Sequence, residues 1–156
     1  MHIAVMSDTH RNKHMIDKAC SYIKDADMVI HLGDNVEDVN EIKNKYDGEI
    51  VSVKGNCDFI TTDPFERVEI IGGKKFFITH GHEYGIRYDL NRLKYKSMEL
   101  KADIVLFGHT HIPFIANDVG ILFINPGSVS LSRKGPNSMA FIDINDGKIS
   151  ARIKNI

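Results

Sequence analysis

The sequence predicts an α/β fold of two sheets with helices outside them, and three observations lead there. Over the first 53 residues, short apolar runs alternate with helix-period segments in the order strand, helix, strand, helix, strand, which is how a parallel sheet with crossover helices reads. The pattern then changes to short strands at close spacing, as in an antiparallel region. Five of the apolar strands also end in clusters of Asp, His, Asn and Gly. Ligand sites of α/β proteins lie at such strand ends.

Ile3–Met6 is a short apolar strand that runs into Ser7-Asp8-Thr9-His10. Residues 14–24 set Met15, Ala19, Tyr22 and Ile23 on one face and predict a helix. Met28–Leu32, with His31 inside it, is a second strand and ends in Gly33-Asp34-Asn35. Val36, Val39 and Ile42 predict a helix over 36–46, stopped near Asp47-Gly48. Ile50–Val53 is the third strand and ends in Gly55-Asn56-Cys57-Asp58. Val68–Ile71, the turn Gly72-Gly73 and Phe76–Thr79 form a hairpin ending at His80-Gly81-His82. A helix over 88–101 is loosely apolar at Leu90, Leu93 and Met98, and Ile104–Phe107 is a strand closing on Gly108-His109-Thr110-His111. Phe114–Ala116, Ile121–Ile124, Met139–Ile144 and Ile149–Ile153 follow as short strands, expected to form one antiparallel C-terminal sheet.

At 156 residues the chain has the size of one domain, 1–156, and can bury a core without disulfides. Its 42% hydrophobic and 26% charged residues exclude a disordered or fibrous class. Twenty basic against 21 acidic residues give −1, so no overall basic field holds a nucleic-acid polymer. No apolar run approaches the roughly 20 residues that cross a bilayer. The first residues show no charged n-region or cleavage site, and Cys20 and Cys57 are no disulfide framework. A cytoplasmic protein without a membrane partner is expected.

Asp8 and His10 stand two apart, so a slight bend turns both toward one ion; taken alone, Asp8 reads as a helix N-cap. Asp34 follows Gly33, which permits a sharp turn, and its two oxygens can bridge two cations; alone, it too reads as a cap. Asn56 offers a neutral amide oxygen, which keeps a two-metal site positive enough to attract phosphate. His80 and His82 flank Gly81, and His109 and His111 flank Thr110; the glycines before and between them permit the turn that aligns alternate residues. Imidazole with carboxylate suits Mn, Fe, Ni, Co or Zn rather than Ca or Mg. Asp8, His10, Asp34 and His111 can serve one ion, and Asp34, Asn56, His80 and His109 a second. Two ions roughly 3.5–4 Å apart lower the pKa of a bridging water and clamp phosphoryl oxygens during in-line displacement.

At these residues the sequence resembles the calcineurin-like metallophosphoesterase superfamily. That family's blocks, in order, stand here as Asp8-Thr9-His10, Gly33-Asp34, Gly55-Asn56, His80-Gly81-His82 and Gly108-His109-Thr110-His111. Gly-Asn-Cys-Asp, Thr-His-Gly-His and Asn125-Pro126-Gly127-Ser128 are similar to its small YfcE-like phosphodiesterase branch. The resemblance implies a four-layer α/β/β/α sandwich with two mixed sheets, and a dinuclear centre of divalent transition metals, Mn or Ni ahead of Fe, Co or Zn. It implies attack of a bridging hydroxide on a small phosphodiester, with Asn56 orienting the scissile phosphate and His10 among the catalytic residues. A homo-oligomer, dimer or tetramer, is implied as well. A phosphomonoesterase is the alternative, disfavoured because no basic cluster neutralises a dianion. A non-catalytic protein-binding scaffold, similar to the retromer subunit, ranks third because every ligand position, Asp34 included, is kept.

One departure matters. Cys57 stands where larger members carry the histidine assigned to the leaving oxygen, and a thiol is a poorer donor than imidazolium. Activity biased toward diesters with good leaving groups is expected, unless His82 or solvent supplies the proton. Asp58 is expected to steady the Gly-Asn turn or act in catalysis, and His82 to contact phosphate or pack its loop. His31 is assigned to the core, His2, His14 and Arg11 to the surface, and Phe59, Phe65, Tyr84 and Tyr88 to ordinary packing.

Overall fold

The computed structural model describes residues 1–156. The strands β1 (His2–Met6), β2 (Met28–His31), β3 (Glu49–Ser52), β9 (Ser138–Asn145) and β10 (Lys148–Asn155) form a sheet of order β10-β9-β1-β2-β3. The second sheet holds β4 (Glu66–Ile71), β5 (Lys74–Thr79), β6 (Ile104–Leu106), β7 (Pro113–Asp118) and β8 (Ile121–Pro126), in the order β4-β5-β6-β8-β7. Both sheets are mixed: β1, β2 and β3 run parallel, as do β5, β6 and β8, with antiparallel strands at the flanks.

Strand periodicity explains the layering. In β1, Ile3 and Val5 face the inter-sheet core with Ile30, Phe76, Ile78, Ile104, Leu106 and Ile142. Ala4 and Met6 face the other way, onto Ile16, Ala19 and Cys20 of α1 (Lys13–Cys20) and Ile42 of α2 (Val39–Lys43). On the far face of the second sheet, Phe77, Val105 and Phe123 pack against Leu93 of α3 (Asn91–Glu99). The result is the four-layer α/β/β/α sandwich that the resemblance implies.

Three expectations are corrected. The four C-terminal strands do not form one sheet: β7 and β8 extend the second sheet, with β8 parallel to β6, while β9 and β10 join the first beside β1. Local spacing shows the hairpins, but both hairpins must offer apolar faces to the same interior, so they pair on opposite sides of it. The segment 36–46 is a 3-10 turn (Val36–Asp38) followed by the short α2, although Val36, Val39 and Ile42 are buried as expected. Finally, Tyr22 and Met98 are exposed; α1 buries Ile16 and Cys20, and α3 buries Ser97, whose Oγ donates to Leu93 C=O at 2.6 Å.

Candidate metal centre

The loops that follow β1, β2, β3, β5 and β6 meet at one end of the sandwich. Backbone bonds lash them together: Asp8 N–H donates to Gly33 C=O at 3.0 Å and Gly108 N–H to His80 C=O at 3.1 Å. A strand that continued straight would send residues two apart back to one face but leave their loops extended. Here the chain coils instead. Asp8, His10, Asp34, His109 and His111 all adopt positive φ, between 46° and 63°, a conformation that costs non-glycine residues free energy and concentrates at functional sites. The turn in Gly108-His109-Thr110-His111 is thus made by the two histidines themselves, not by the neighbouring glycine.

Asp8, His10, Asp34 and His111 come together, their ligand atoms all within 4.8 Å of one another. Asp8 and Asp34 are buried. His111 Nδ1 donates to Leu131 C=O at 2.7 Å, and His80 Nδ1 to Leu32 C=O at 2.8 Å. In the neutral rings this leaves both Nε2 atoms as lone pairs. They face carboxylates: His111 Nε2 is 3.0 Å from Asp8 Oδ1, and His80 Nε2 is 3.4 Å from Asp34 Oδ1. His10 Nε2 lies 3.4 Å from His111 Nε2, 3.9 Å from Asp8 Oδ1 and 4.0 Å from Asp34 Oδ2. Asp8 Oδ1 and His80 Nε2 are buried without an aligned hydrogen-bond donor. Buried lone pairs aimed at one another call for a cation among them, and the residues fit a divalent metal, each histidine held by its other nitrogen as metal ligands are.

The electrostatics agree. Burial works to raise the Asp8 carboxyl, but the neighbouring His111 and His80 and the Ser7 hydrogen bond outweigh it and hold the pKa below its ordinary value. Burial opposes protonation of His111, yet Asp8 and the Leu131 carbonyl push its pKa up. His109 is lowered to about 4 by burial, then by His80 and Arg87.

His80, His82 and His109 form a second group: His109 lies 5.2 Å from His80 and 6.1 Å from His82 between ring centroids, and His80 and His82 are 5.4 Å apart. His82 therefore belongs at the site, with its Nδ1 buried and unpartnered. Asn56 is exposed and its amide donates to Cys57 Sγ at 3.4 Å, so the structure brings it to the rim rather than onto the histidines. Cys57 is tied to Asp34. Its thiol donates to Asp34 Oδ2 at 3.3 Å and its N–H to Asp34 Oδ1 at 2.9 Å, and burial followed by the Asp34 carboxylate pushes its pKa up to about 11. Asp58 accepts the N–H groups of Asp34, Gly55 and Val36 at 2.8–2.9 Å, which clamps the Gly-Asn turn to the Gly-Asp turn.

Neither aspartate caps a helix: Asn12 caps α1, with Oδ1 accepting from Met15 N–H at 3.2 Å. His31 is fully buried, between Thr9 Oγ1 and Gly33 N–H. His14 is exposed, but His2 is half-buried, paired with Asp143 at 2.5 Å and stacked on Phe141. Arg11 is exposed and ion-paired with Glu37. Tyr84 packs edge-on against Phe77, whereas Phe59 and Tyr88 are 90% and 94% exposed. Sequence reading missed the supports of Asp8: Ser7 Oγ donates to Asp8 Oδ2 at 2.5 Å and Ser128 Oγ to Asp8 C=O at 2.8 Å. The signal was Asn125-Pro126-Gly127-Ser128, which also places Asn125 Nδ2 2.8 Å from Gly108 C=O.

The sequence profile of the calcineurin-like phosphoesterase superfamily domain matches residues 1–147. The chain belongs to that superfamily. Among its relatives, the probable metallophosphoesterase YsnB of Bacillus subtilis is 35% identical over 136 residues, spanning 85% of this chain and 78% of its own. Phosphodiesterase YfcE of Escherichia coli is 31% identical over 135 residues, 75% of this chain and 67% of its own. The crystal structure of a conserved protein from Streptococcus pneumoniae, itself a predicted phosphoesterase, has a TM-score of 0.84 at 32% identity, over 99% of this chain and 88% of that one. Vps29 of Entamoeba histolytica, crystallised with zinc, shares the calcineurin-like fold with a TM-score of 0.77 at 23% identity over 99% of each chain, a likeness of fold alone. No helix of this superfamily member is long and apolar enough to cross a membrane.

Proposed function

We propose that the chain is a divalent-metal-dependent phosphodiesterase with a dinuclear centre. One observation carries the reading: the two oxygens of Asp34 face different histidines, Oδ1 toward His80 at 3.4 Å and Oδ2 toward His10 at 4.0 Å. A carboxylate so placed is disposed to serve two ions at once. Asp8, His10, Asp34 and His111 would hold one, and Asp34, His80, His109 and a rotated Asn56 the other, with Mn or Ni first and Fe, Co or Zn next. Bound ions there supply Lewis acidity toward phosphoryl oxygens and activation of water.

The chain's own residues do the rest. Leu131 and Leu32 carbonyls fix the tautomers of His111 and His80, so no reorientation is needed when a ligand arrives. Ser7 and Ser128 hold Asp8 from both ends. Asn56, exposed at the rim, would orient the scissile phosphate, and His82 would donate to it. Relatives named phosphodiesterase support a small diester as substrate. The inter-sheet core draws on residues from Ile3 to Ile144, which supports one domain. The free thiols Cys20 and Cys57 accord with the reducing cytoplasm, and exposed Phe59, Ile60 and Ile70 offer apolar surface for a dimer or tetramer.

Metal-stripped protein reloaded with Mn, Ni, Mg or Zn, and offered an aryl diester and the matching monoester, tests the reading. Two ions per chain by calorimetry, faster diester than monoester cleavage, and loss of both with Asp34→Asn are expected. Faster monoester cleavage would replace it with a phosphomonoesterase. Metal binding without any turnover would favour the scaffold reading that the Vps29 likeness suggests.

A further inference from the structure

A second feature adjoins this site on the side of the two His-x-His turns. It is a groove of about 280 Å³ that begins at Thr110, between His109 and His111. Buried Ile86 and Phe107 form its floor, and Leu90, Ile112 and Phe114 its walls. Phe107 and Phe114 meet at 6.1 Å between ring centroids, with their planes tilted. The floor is continuous with the site: a Cβ at Gly81, between His80 and His82, would fall 2.6 Å from Ile86 Cδ1 and 3.6 Å from Phe107 Cβ.

Arg87 stands at the rim of this groove, exposed. The arginine ion pairs of the chain are Arg11–Glu37, Arg67–Glu69 and Arg152–Asp143, and Arg87 makes none. The opposite flank of the site differs. There a smaller hollow of about 140 Å³ is lined by Arg11 together with Glu37 and Asp58, so its one cation is already neutralised and a carboxylate would repel an anion.

We infer that the groove of Ile86, Leu90, Phe107, Ile112 and Phe114 receives one ester arm of the diester, and that Arg87 binds an anionic group carried by that arm. The substrate class is then a diester with one arm bearing a ring-sized apolar group and a second negative charge. An apolar wall with a single charged group at its edge is the ordinary construction of a small-molecule subsite, and an unpaired guanidinium suits a carboxylate or phosphate by its two-pronged geometry. The inference rests on the phosphodiesterase reading for its position and extends it to the choice of substrate.

Three p-nitrophenyl phosphodiesters that share one leaving group and differ in the other arm (methyl, phenyl, carboxyphenyl) separate the two ideas. With the metal-loaded enzyme, kcat/KM should rise in that order. Arg87→Gln should cost about tenfold on the carboxyphenyl ester and far less on the methyl ester, while Phe114→Ala should lower the phenyl and carboxyphenyl esters together. Equal kcat/KM for all three, or an equal loss on all three with Arg87→Gln, overturns the inference while leaving the phosphodiesterase reading intact. No turnover of any ester overturns that reading instead. Binding is then read without turnover, by titrating methyl-labelled protein with the carboxyphenyl ester itself. Shifts at Ile86 and Ile112 that weaken in Arg87→Gln uphold the inference, and their absence overturns it. A change of molecular mass with Phe114→Ala would mark the groove as a contact between copies, and also overturns it.

Discussion

The Cys57 thiol donates to Asp34 Oδ2 across 3.3 Å, while Asp34 Oδ1 faces His80 Nε2 at 3.4 Å. Cys57 thus leans on the carboxylate at the centre of the site. With its pKa near 11 it stays a neutral thiol, a weak donor to a departing oxyanion.

Cys57→His should therefore raise kcat on a diester with a poor leaving group, by about tenfold or more if a positioned acid acts there. The gain should shrink on a p-nitrophenyl ester, whose leaving group needs no proton. Steady-state rates across a series of phenols measure it, and an unchanged rate on the poorest leaving group contradicts the role assigned to this position.

Gly55→Ala should damage the site more than the fold. A Cβ there would fall 2.2 Å from Asp34 Oδ1 and 2.6 Å from Asp34 N, so the Gly-Asn and Gly-Asp turns must part. We expect a stability loss of about 1–3 kcal/mol and metal affinity lower by about 10–100-fold, read by thermal melting and calorimetry. Unaltered metal affinity would show that Asp34 does not need this close approach.

Stability of the metal-free chain should decline in acid. His31 is fully buried, and burial holds its pKa below the ordinary 6.5. The unfolded chain takes up that proton near pH 6.5 and the folded chain only lower, so the contribution is complete above about 6.5 and is lost as pH falls. Asp8, Asp63 and Asp143, all held below 3.8, add a second decline below about pH 4 by the same linkage. His111, raised by Asp8, acts in the opposite sense, so the His31 share is isolated by His31→Asn. Chemical denaturation at pH 5 to 8 should show a shallower slope in that variant.

Metal uptake should release protons. In the metal-free chain His111 keeps its proton to higher pH than an ordinary histidine, and a ligand must be deprotonated to bind. Apparent affinity should climb with pH through and above about 6.5. Calorimetry in two buffers of different ionisation enthalpy counts the protons, and His111→Ala should lower both the count and the affinity.

Much of this was legible along the chain. Ile3–Met6, Met28–Leu32, Phe76–Thr79 and Ile104–Phe107 read as strands because buried strands carry unbroken apolar runs, and each announced a polar end. The pairing of β8 with β6 and of β9 with β1 was not legible. A hairpin's own spacing is the same whichever sheet it joins, and the choice is made by which apolar faces fill the shared core.

The same division holds at the site. By itself the sequence determined which side chains are offered, Asp8, His10, Asp34, His80, His109 and His111 among them, because donor type is a property of the residue. Only the tertiary structure decided how they are aimed. Positive φ at Asp8, His10, Asp34, His109 and His111, the Leu32 and Leu131 carbonyls that set two tautomers, and the thiol of Cys57 turned onto Asp34 arise from contacts between residues far apart in the chain. Direction depends on those contacts, and no local pattern encodes them.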